Sequence, residues 1–157
     1  YYIENKKNEE LVSAIKNYYA DKKNVTITNS NLKLILNGMN GLKTRARTIN
    51  ELAEMCSFYI EKAPITLDKK SRKVLNNENI NTLKLYYKQL LKLEKWNKEE
   101  IEEDIKMYCQ VNNINLGKLA QPLRAAITGK SVSPGLYELM EVLGKNETLA
   151  RITNINN

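Results

Sequence analysis

The chain has 157 residues, of which 42% are hydrophobic, and its formal net charge is +7. This length and apolar content suit a chain that buries a core, as one compact unit or two small subdomains, and they exclude an intrinsically disordered chain. No apolar run approaches the ~18 residues of a membrane-spanning helix, so no segment is predicted to span a membrane. A membrane is not the expected partner.

Apolar residues recur at helical spacing along most of the chain. Because spacings of three and four residues put each stripe on one helix face, they predict amphipathic helices. The five stripes are Leu11, Ile15, Tyr18 and Tyr19; Leu52, Met55, Cys56, Tyr59 and Ile60; Leu83, Tyr86, Tyr87, Leu90 and Leu91; Ile101, Ile105, Tyr108 and Cys109; and Leu136, Leu139, Met140 and Leu143. Loops are predicted near 22–29, 61–67, 76–79, 112–115 and 129–133.

Polar residues before two of the stripes have the character of helix caps. Thr48 followed three residues later by Glu51 predicts a capping box. Asn97 is expected to cap a helix whose first turns are acidic, which suits the positive end of the helix dipole.

Near the end of the chain, Ser133 and Pro134 are predicted to be the N-cap and first residue of a short helix. Gly144 is expected to end that helix, and Asn146 is expected to cap the last one. Strand alternation is nearly absent. We therefore predict an all-α fold, a helical bundle of two small subdomains, 1–63 and 64–157, with the boundary at Pro64.

Basic residues concentrate in two windows that contain no acid. Such windows are typical of surfaces that follow a phosphate backbone, although an ordinary solvated surface would give the same pattern. Between Asp21 and Glu51 lie Lys22, Lys23, Lys33, Lys43, Arg45 and Arg47; between Asp104 and Glu138 lie Lys106, Lys118, Arg124 and Lys130.

The residues for catalysis or metal binding are missing from the sequence. The chain contains no histidine, which excludes His-based acid–base chemistry and Ser-His or Cys-His nucleophile pairs. Cys56 and Cys109 lie on apolar stripes and are predicted to be buried free thiols, so no metal site is expected. The stretch Lys69–Arg72 is similar to the lysine-rich ATP loop of class I aminoacyl-tRNA synthetases, but we interpret it as an ordinary basic helix start.

One long block resembles a known family. Leu-Gly-Lys-Leu-Ala-Gln-Pro-Leu-Arg-Ala-Ala-Ile-Thr-Gly at 116–129, with Ser-Pro-Gly-Leu-Tyr-Glu-Leu at 133–139 and Val-Leu-Gly at 142–144, is similar to the C-terminal anticodon-binding domain of bacterial glutamyl-tRNA synthetases. Thr-Ile-Asn-Glu-Leu at 48–52, Trp-Asn at 96–97 and Thr-Leu-Ala-Arg-Ile at 148–152 agree with the same family. The resemblance extends from about residue 42 to residue 152.

The resemblance implies a function for the longer protein. Members of this family attach glutamate to tRNA with ATP and Mg²⁺ in an N-terminal catalytic domain, which this chain lacks. Their C-terminal helices recognise the anticodon loop of tRNA(Glu). The resemblance also implies a monomer in the bacterial cytoplasm, and the fragment itself is expected to hold no cofactor.

The resemblance also implies which residues bind the anticodon. Arg124 is a candidate for a base contact, and Ser133, Pro134 and Leu136 for a pocket around an unstacked base. Arg45 matches a position where the family carries an arginine that checks another base. The acid-free windows add four candidates for phosphate contacts: Lys118, Lys130, Lys43 and Arg47.

A second function stays open at this point. A helical interaction or scaffold module could use the same basic face to dock an acidic protein or membrane, without RNA specificity. Indifference to the anticodon sequence would distinguish it.

Overall fold

The computed structural model of the chain describes residues 3–131 and 133–155, and all regular structure in these residues is helical. This confirms the predicted all-α class. In chain order the helices are α1 Asn8–Lys22, α2 Asn29–Lys43, α3 Ile49–Met55, α4 Ser57–Ile60, α5 Lys69–Val74, α6 Asn77–Leu90, α7 Lys98–Val111, α8 Leu116–Thr128, α9 Leu136–Leu143 and α10 Lys145–Thr153.

The helices form two compact units, one ending at Glu61 and the other beginning at Lys62. In the first unit, α1 packs against α2 and α3, and α2 also contacts α4. The Tyr19 hydroxyl donates a hydrogen bond to the Ala53 carbonyl at 2.7 Å, which ties α1 to α3. The core consists of fully buried side chains that include Leu11, Ile15, Ile35, Met39, Leu42 and Leu52.

In the second unit, α8 is the central helix and packs against α5, α6, α7, α9 and α10. Its apolar face is buried through Leu119, Leu123 and Ile127. The indole Nε1 of Trp96 donates to the Met140 carbonyl at 2.8 Å, which anchors the segment before α7 to α9.

A buried arginine holds the last helix in this unit. Arg151 is 2% exposed, and its Nε donates to the Glu147 carboxylate at 2.7 Å. Its Nη1 donates to the Ile127 carbonyl at 2.7 Å, near the end of α8. Because the guanidinium meets both a carboxylate and a carbonyl, its charge is compensated in the interior, as a buried ion requires.

The N-caps of α3 and α7, Thr48 and Asn97, agree with the sequence prediction, with one difference. The Thr48 hydroxyl accepts from the Glu51 amide at 3.1 Å, and the Asn97 side chain accepts from the Glu100 amide at 2.9 Å. In a capping box the Glu51 carboxylate would bind the Thr48 amide, but it accepts from the Arg47 amide instead, at 2.8 Å.

Two predicted caps are wrong. Helix α9 begins at Leu136 after Gly135, so Ser133 and Pro134 are not its N-cap and first residue. Helix α10 begins at Lys145 directly after Gly144, which places Asn146 inside the helix rather than at its cap. Gly144 does end α9, as predicted, with a φ of 86°.

Three further expectations have clear outcomes. The predicted loop at 76–79 is wrong, because the Asn76 side chain accepts from the Asn79 amide and α6 starts at Asn77. The stripe at 52–60 is divided between α3 and α4 at Cys56. Cys56 and Cys109 are buried free thiols as predicted, and burial raises the pKa of Cys56 to about 12.

Candidate nucleic-acid interface

Arg124 is positioned by α8. The helix turns its apolar side into the core, which leaves Arg124 half-buried at its edge. Gly129 ends the helix in the left-handed region, with a φ of 69°, and its amide donates to the Ala125 carbonyl at 2.9 Å. This reversal turns the chain back along the helix toward residues 133–134.

The structure brings Arg124, Ser133 and Pro134 together. Arg124 Nη1 donates to the Pro134 carbonyl at 2.7 Å, and it also contacts the hydroxyl and the carbonyl of Ser133. The Ser133 hydroxyl donates to the Pro134 carbonyl at 3.1 Å. Ser133 is therefore part of an arginine-centred cluster, and this contact explains why its hydroxyl does not cap α9.

Leu136, the third predicted pocket residue, begins α9 and is 5% exposed. Its side chain contributes to the core of the second unit.

A groove of about 520 Å³ lies beside the Arg124 cluster. Its walls come from α5, from α8 and from the loop after α8. The lining residues are Lys70, Ser71, Lys73, Val74, Gln121, Arg124, Ala125, Lys130 and Ser131.

Asp68 fixes the loop after α8 against the start of α5. Its carboxylate accepts from the Ser71 amide at 2.7 Å and from the Ser131 amide at 3.0 Å. Partial burial alone would raise the pKa of Asp68, but the hydrogen bonds from Ser71 and Ser131 and the nearby charge of Lys130 lower it below its ordinary value of 3.8. Asp68 thus holds the loop at Ser131 and the start of α5 together.

Lys130 and Lys118 have different surroundings in this unit. Lys130 is half-buried in the groove wall. Lys118 is exposed and lies 3.6 Å from the Glu78 carboxylate. Because both side chains of that pair are highly exposed, the pair contributes little to stability and leaves Lys118 accessible to other anions.

The other predicted residues belong to the first unit. Arg45 is exposed, and its Nη1 donates to the Gly41 carbonyl at 2.8 Å at the end of α2. Lys43 donates to the Asn8 side chain at 2.8 Å. Arg47 is exposed, and its backbone amide is held by Glu51. Through its bond to the Gly41 carbonyl, Arg45 also stabilises the carboxyl end of α2.

Sequence reasoning did not identify three groove residues, Lys70, Lys73 and Gln121, as candidates. Gln121 lies one helical turn before Arg124, which was a usable signal. Lys70 belongs to the stretch Lys69–Arg72, which we interpret as an ordinary basic helix start, and α5 does begin at Lys69. Lys73 lies just after that stretch. Their place in the groove depends on the packing of α5 against α8, which local sequence does not encode.

Within residues 3–131 and 133–155, no three Cys, Asp or Glu side chains form a group that could hold a metal ion. No helix in that same part of the chain is long and apolar enough to cross a membrane.

Comparison with known proteins gives consistent matches. A family model described as an anticodon binding domain matches residues 8–156. Glutamate–tRNA ligase 2 of Rhodospirillum rubrum is 40% identical over 119 residues, which are 76% of this chain and 25% of that protein. Glutamate–tRNA ligase 1 of Brucella melitensis is 42% identical over 118 residues, 75% of this chain and 25% of that protein.

Solved structures are also similar. The crystal structure of a glutamate–tRNA ligase from Elizabethkingia meningosepticum matches with a TM-score of 0.74 and 26% identity, over 97% of this chain and 29% of that one. The glutamate–tRNA synthetase of Elizabethkingia anophelis gives a TM-score of 0.71 and 25% identity, with the same coverage. The chain spans about a quarter of the length of the curated relatives that it matches.

Proposed function

Since the chain belongs to the anticodon-binding domain family of glutamate–tRNA ligases, we propose that it binds the anticodon loop of tRNA(Glu). The membership confirms the resemblance predicted from residues 116–144. The observation that carries the proposal is the cluster of Arg124, Ser133 and Pro134 beside a groove lined by basic side chains.

The proposal extends to the longer protein. It attaches L-glutamate to tRNA(Glu) with ATP and Mg²⁺, which a catalytic domain outside this chain binds. It acts as a monomer in the bacterial cytoplasm. Within this chain, the subdomain 64–157 holds the main anticodon contacts and the subdomain 1–63 holds a second set.

The chemistry of Arg124 suits recognition of a base. Proteins that recognise RNA sequence bind single-stranded loops, in which bases are unstacked and their edges are open to hydrogen bonds. A guanidinium is planar, so it stacks on a base or donates two parallel hydrogen bonds to one. In this role Arg124 contacts a base, Ser133 and Pro134 hold the arginine in place, and Leu136 supports the pocket from the core.

Arg45 takes the corresponding role in the first unit. Its side chain is exposed, so an RNA base can reach it, and its bond to the Gly41 carbonyl fixes its orientation. Lys43, Arg47, Lys118 and Lys130 then act as phosphate contacts. These contacts raise affinity for any RNA of this shape, because phosphates carry no sequence information.

A binding experiment tests this function. Fluorescence anisotropy compares the chain's affinity for the tRNA(Glu) anticodon stem-loop with its affinity for the same stem-loop carrying three substituted anticodon bases. We expect tighter binding of the unaltered loop. Equal affinity for both loops, together with binding to vesicles of anionic lipid, would instead support the scaffold function with a basic face.

A further inference from the structure

Three lysines from separate parts of the second unit meet in the groove beside Arg124. Lys70 and Lys73 are exposed on α5, one helical turn apart, and Lys130 follows the end of α8. The packing of α5 against α8 brings them together across more than 50 positions of sequence, from Lys73 to Lys130. A cleft lined by charges of one sign focuses the electric field and concentrates oppositely charged ligands.

The charges of these lysines are not neutralised within the unit. None of the three forms an ion pair with a carboxylate of the residues that the structure describes, in contrast to Lys118, Lys106 and Arg151. No Asp or Glu belongs to the groove lining.

Asp68 is the acidic group near Lys130, and its position matters for the electrostatics of the groove. Its two carboxylate oxygens accept from the backbone amides of Ser71 and Ser131. The carboxylate is therefore committed to holding the loop. The groove keeps a net positive charge even with Asp68 ionised, because three lysines and Arg124 line it.

We propose that Lys70, Lys73 and Lys130 bind the phosphodiester backbone of the RNA strand on either side of the base that Arg124 contacts. This inference rests on the proposed function and adds to it a backbone site that includes α5. Lysine suits the role, because its ammonium is a compact point charge that binds phosphate without requiring the planar geometry of arginine. An RNA strand is favoured over a lipid or protein surface because the groove is continuous with Arg124.

A pair of charge-matched variants tests the site. Lys70→Gln/Lys73→Gln removes two groove charges, and Lys84→Gln/Lys88→Gln removes two exposed charges on α6, outside the groove lining. Circular dichroism checks that both variants keep the parent's helicity. Affinity for the tRNA(Glu) anticodon stem-loop, and for the loop with substituted anticodon bases, is then measured by anisotropy over a salt series.

The groove variant is expected to bind both loops more weakly by the same factor. Affinity falls as salt rises, and each lost phosphate contact makes the slope of log affinity against log salt shallower by about 0.7 for a single strand. Two lost contacts make the fall in affinity between about 50 and about 200 mM salt roughly sevenfold smaller. The control variant should keep the parent's salt slope.

Other results would overturn the inference. Equal salt slopes in the two variants would mean that α5 makes no phosphate contact. The proposed function would still stand in that case if the parent binds the unaltered loop more tightly than the substituted one. Weaker binding of the unaltered loop alone would assign the lysines to base recognition instead. If the parent shows no preference, the proposed function fails, whereas a lower slope in the groove variant would still support a phosphate site.

Discussion

Arg124 has two roles in this account, since it holds residues 133–134 and is also the proposed base contact. We predict that Arg124→Ala weakens binding of the tRNA(Glu) anticodon stem-loop by roughly 5-fold to 150-fold, because a bidentate arginine contact is worth about 1–3 kcal/mol. Anisotropy measures the loss, and circular dichroism should show unchanged helicity, since the side chain lies at the edge of the core. Equal affinity of variant and parent would remove Arg124 from the site.

Gly129 is required by the backbone where α8 ends. Its φ is 69°, and a Cβ at this position would lie 2.0 Å from the Thr66 carbonyl oxygen. We predict that Gly129→Ala lowers the free energy of unfolding by more than the about 1–2 kcal/mol of a left-handed residue alone, because backbone atoms must also move apart.

Urea denaturation measures this difference, and Gly117→Ala is the matched control. A Cβ at Gly117 meets nothing closer than 3.6 Å, and the position is helical, so alanine there should be neutral or stabilising. Equal stability of the Gly129 variant and the control would contradict the geometry of this turn.

Asp68 gives the second unit a pH-dependent contribution. Because its pKa in the folded chain lies below the ordinary 3.8, ionised Asp68 stabilises the fold above about pH 3.8, and this stabilisation is lost as pH falls through the lower, folded pKa. Asp68→Asn should therefore be less stable than the parent at neutral pH, and the difference should shrink in the acid range below pH 3.8. Thermal unfolding at a series of pH values measures it; a difference that is constant down to pH 2 would refute the assignment.

Helix starts offer a paired prediction, because one asparagine caps a helix and another does not. Asn97 accepts from the Glu100 amide, whereas Asn146 is exposed within the first turn of α10. Asn97→Ala should lower the free energy of unfolding by about 0.5–2 kcal/mol. Asn146→Ala should change it by less than about 0.5 kcal/mol. Chemical denaturation measures the free energy of unfolding of both variants. A larger decrease for Asn146→Ala than for Asn97→Ala would contradict the structure.

The helices themselves were largely predictable from sequence, because the spacing of apolar residues at every third or fourth position is a local property of the chain. The stripes at 83–91, 101–109 and 136–143 correspond to α6, α7 and α9. The division of the stripe at 52–60 was not predictable from its period, since α3 and α4 continue the same spacing across Cys56.

The errors in helix starts have a physical cause in contacts that are distant in sequence. Ser133 is a good N-cap residue by type, but its hydroxyl is bonded to Arg124, so α9 starts at Leu136, two residues later than predicted. Asn146 is a good N-cap too, but the backbone of Gly144 lets α10 begin at Lys145. Cap preferences predict where a helix can start, and tertiary contacts select among the possible starts.

Much of the candidate site was identified from the resemblance of residues 116–144 rather than from physical pattern. The pattern did identify the acid-free windows that contain Arg45 and Arg124. It did not reveal that Lys118 of one window lies beside Glu78, because that acid comes from α6. Nor did it reveal the groove position of Lys70 and Lys73, which arises only when α5 packs on α8.

At the scale of the whole chain, a net charge of +7 is combined with base-recognition candidates in each of the two units. The charge is expected to set overall affinity and its salt dependence, whereas the arginines are expected to set the preference among anticodons. These two contributions are separable by experiment, since salt weakens phosphate contacts on every RNA alike.

The most direct test of the central claim is a cycle that combines Arg124→Lys with anticodon substitutions, measured by fluorescence anisotropy at one fixed salt concentration. Lysine keeps the charge and loses the planar fork of donors. Parent and variant each bind the tRNA(Glu) anticodon stem-loop and three loops with one anticodon base changed. We predict that one base substitution weakens the parent strongly and the variant hardly at all, because Arg124 and that base are coupled. If all three substitutions weaken parent and variant equally, Arg124 does not recognise an anticodon base.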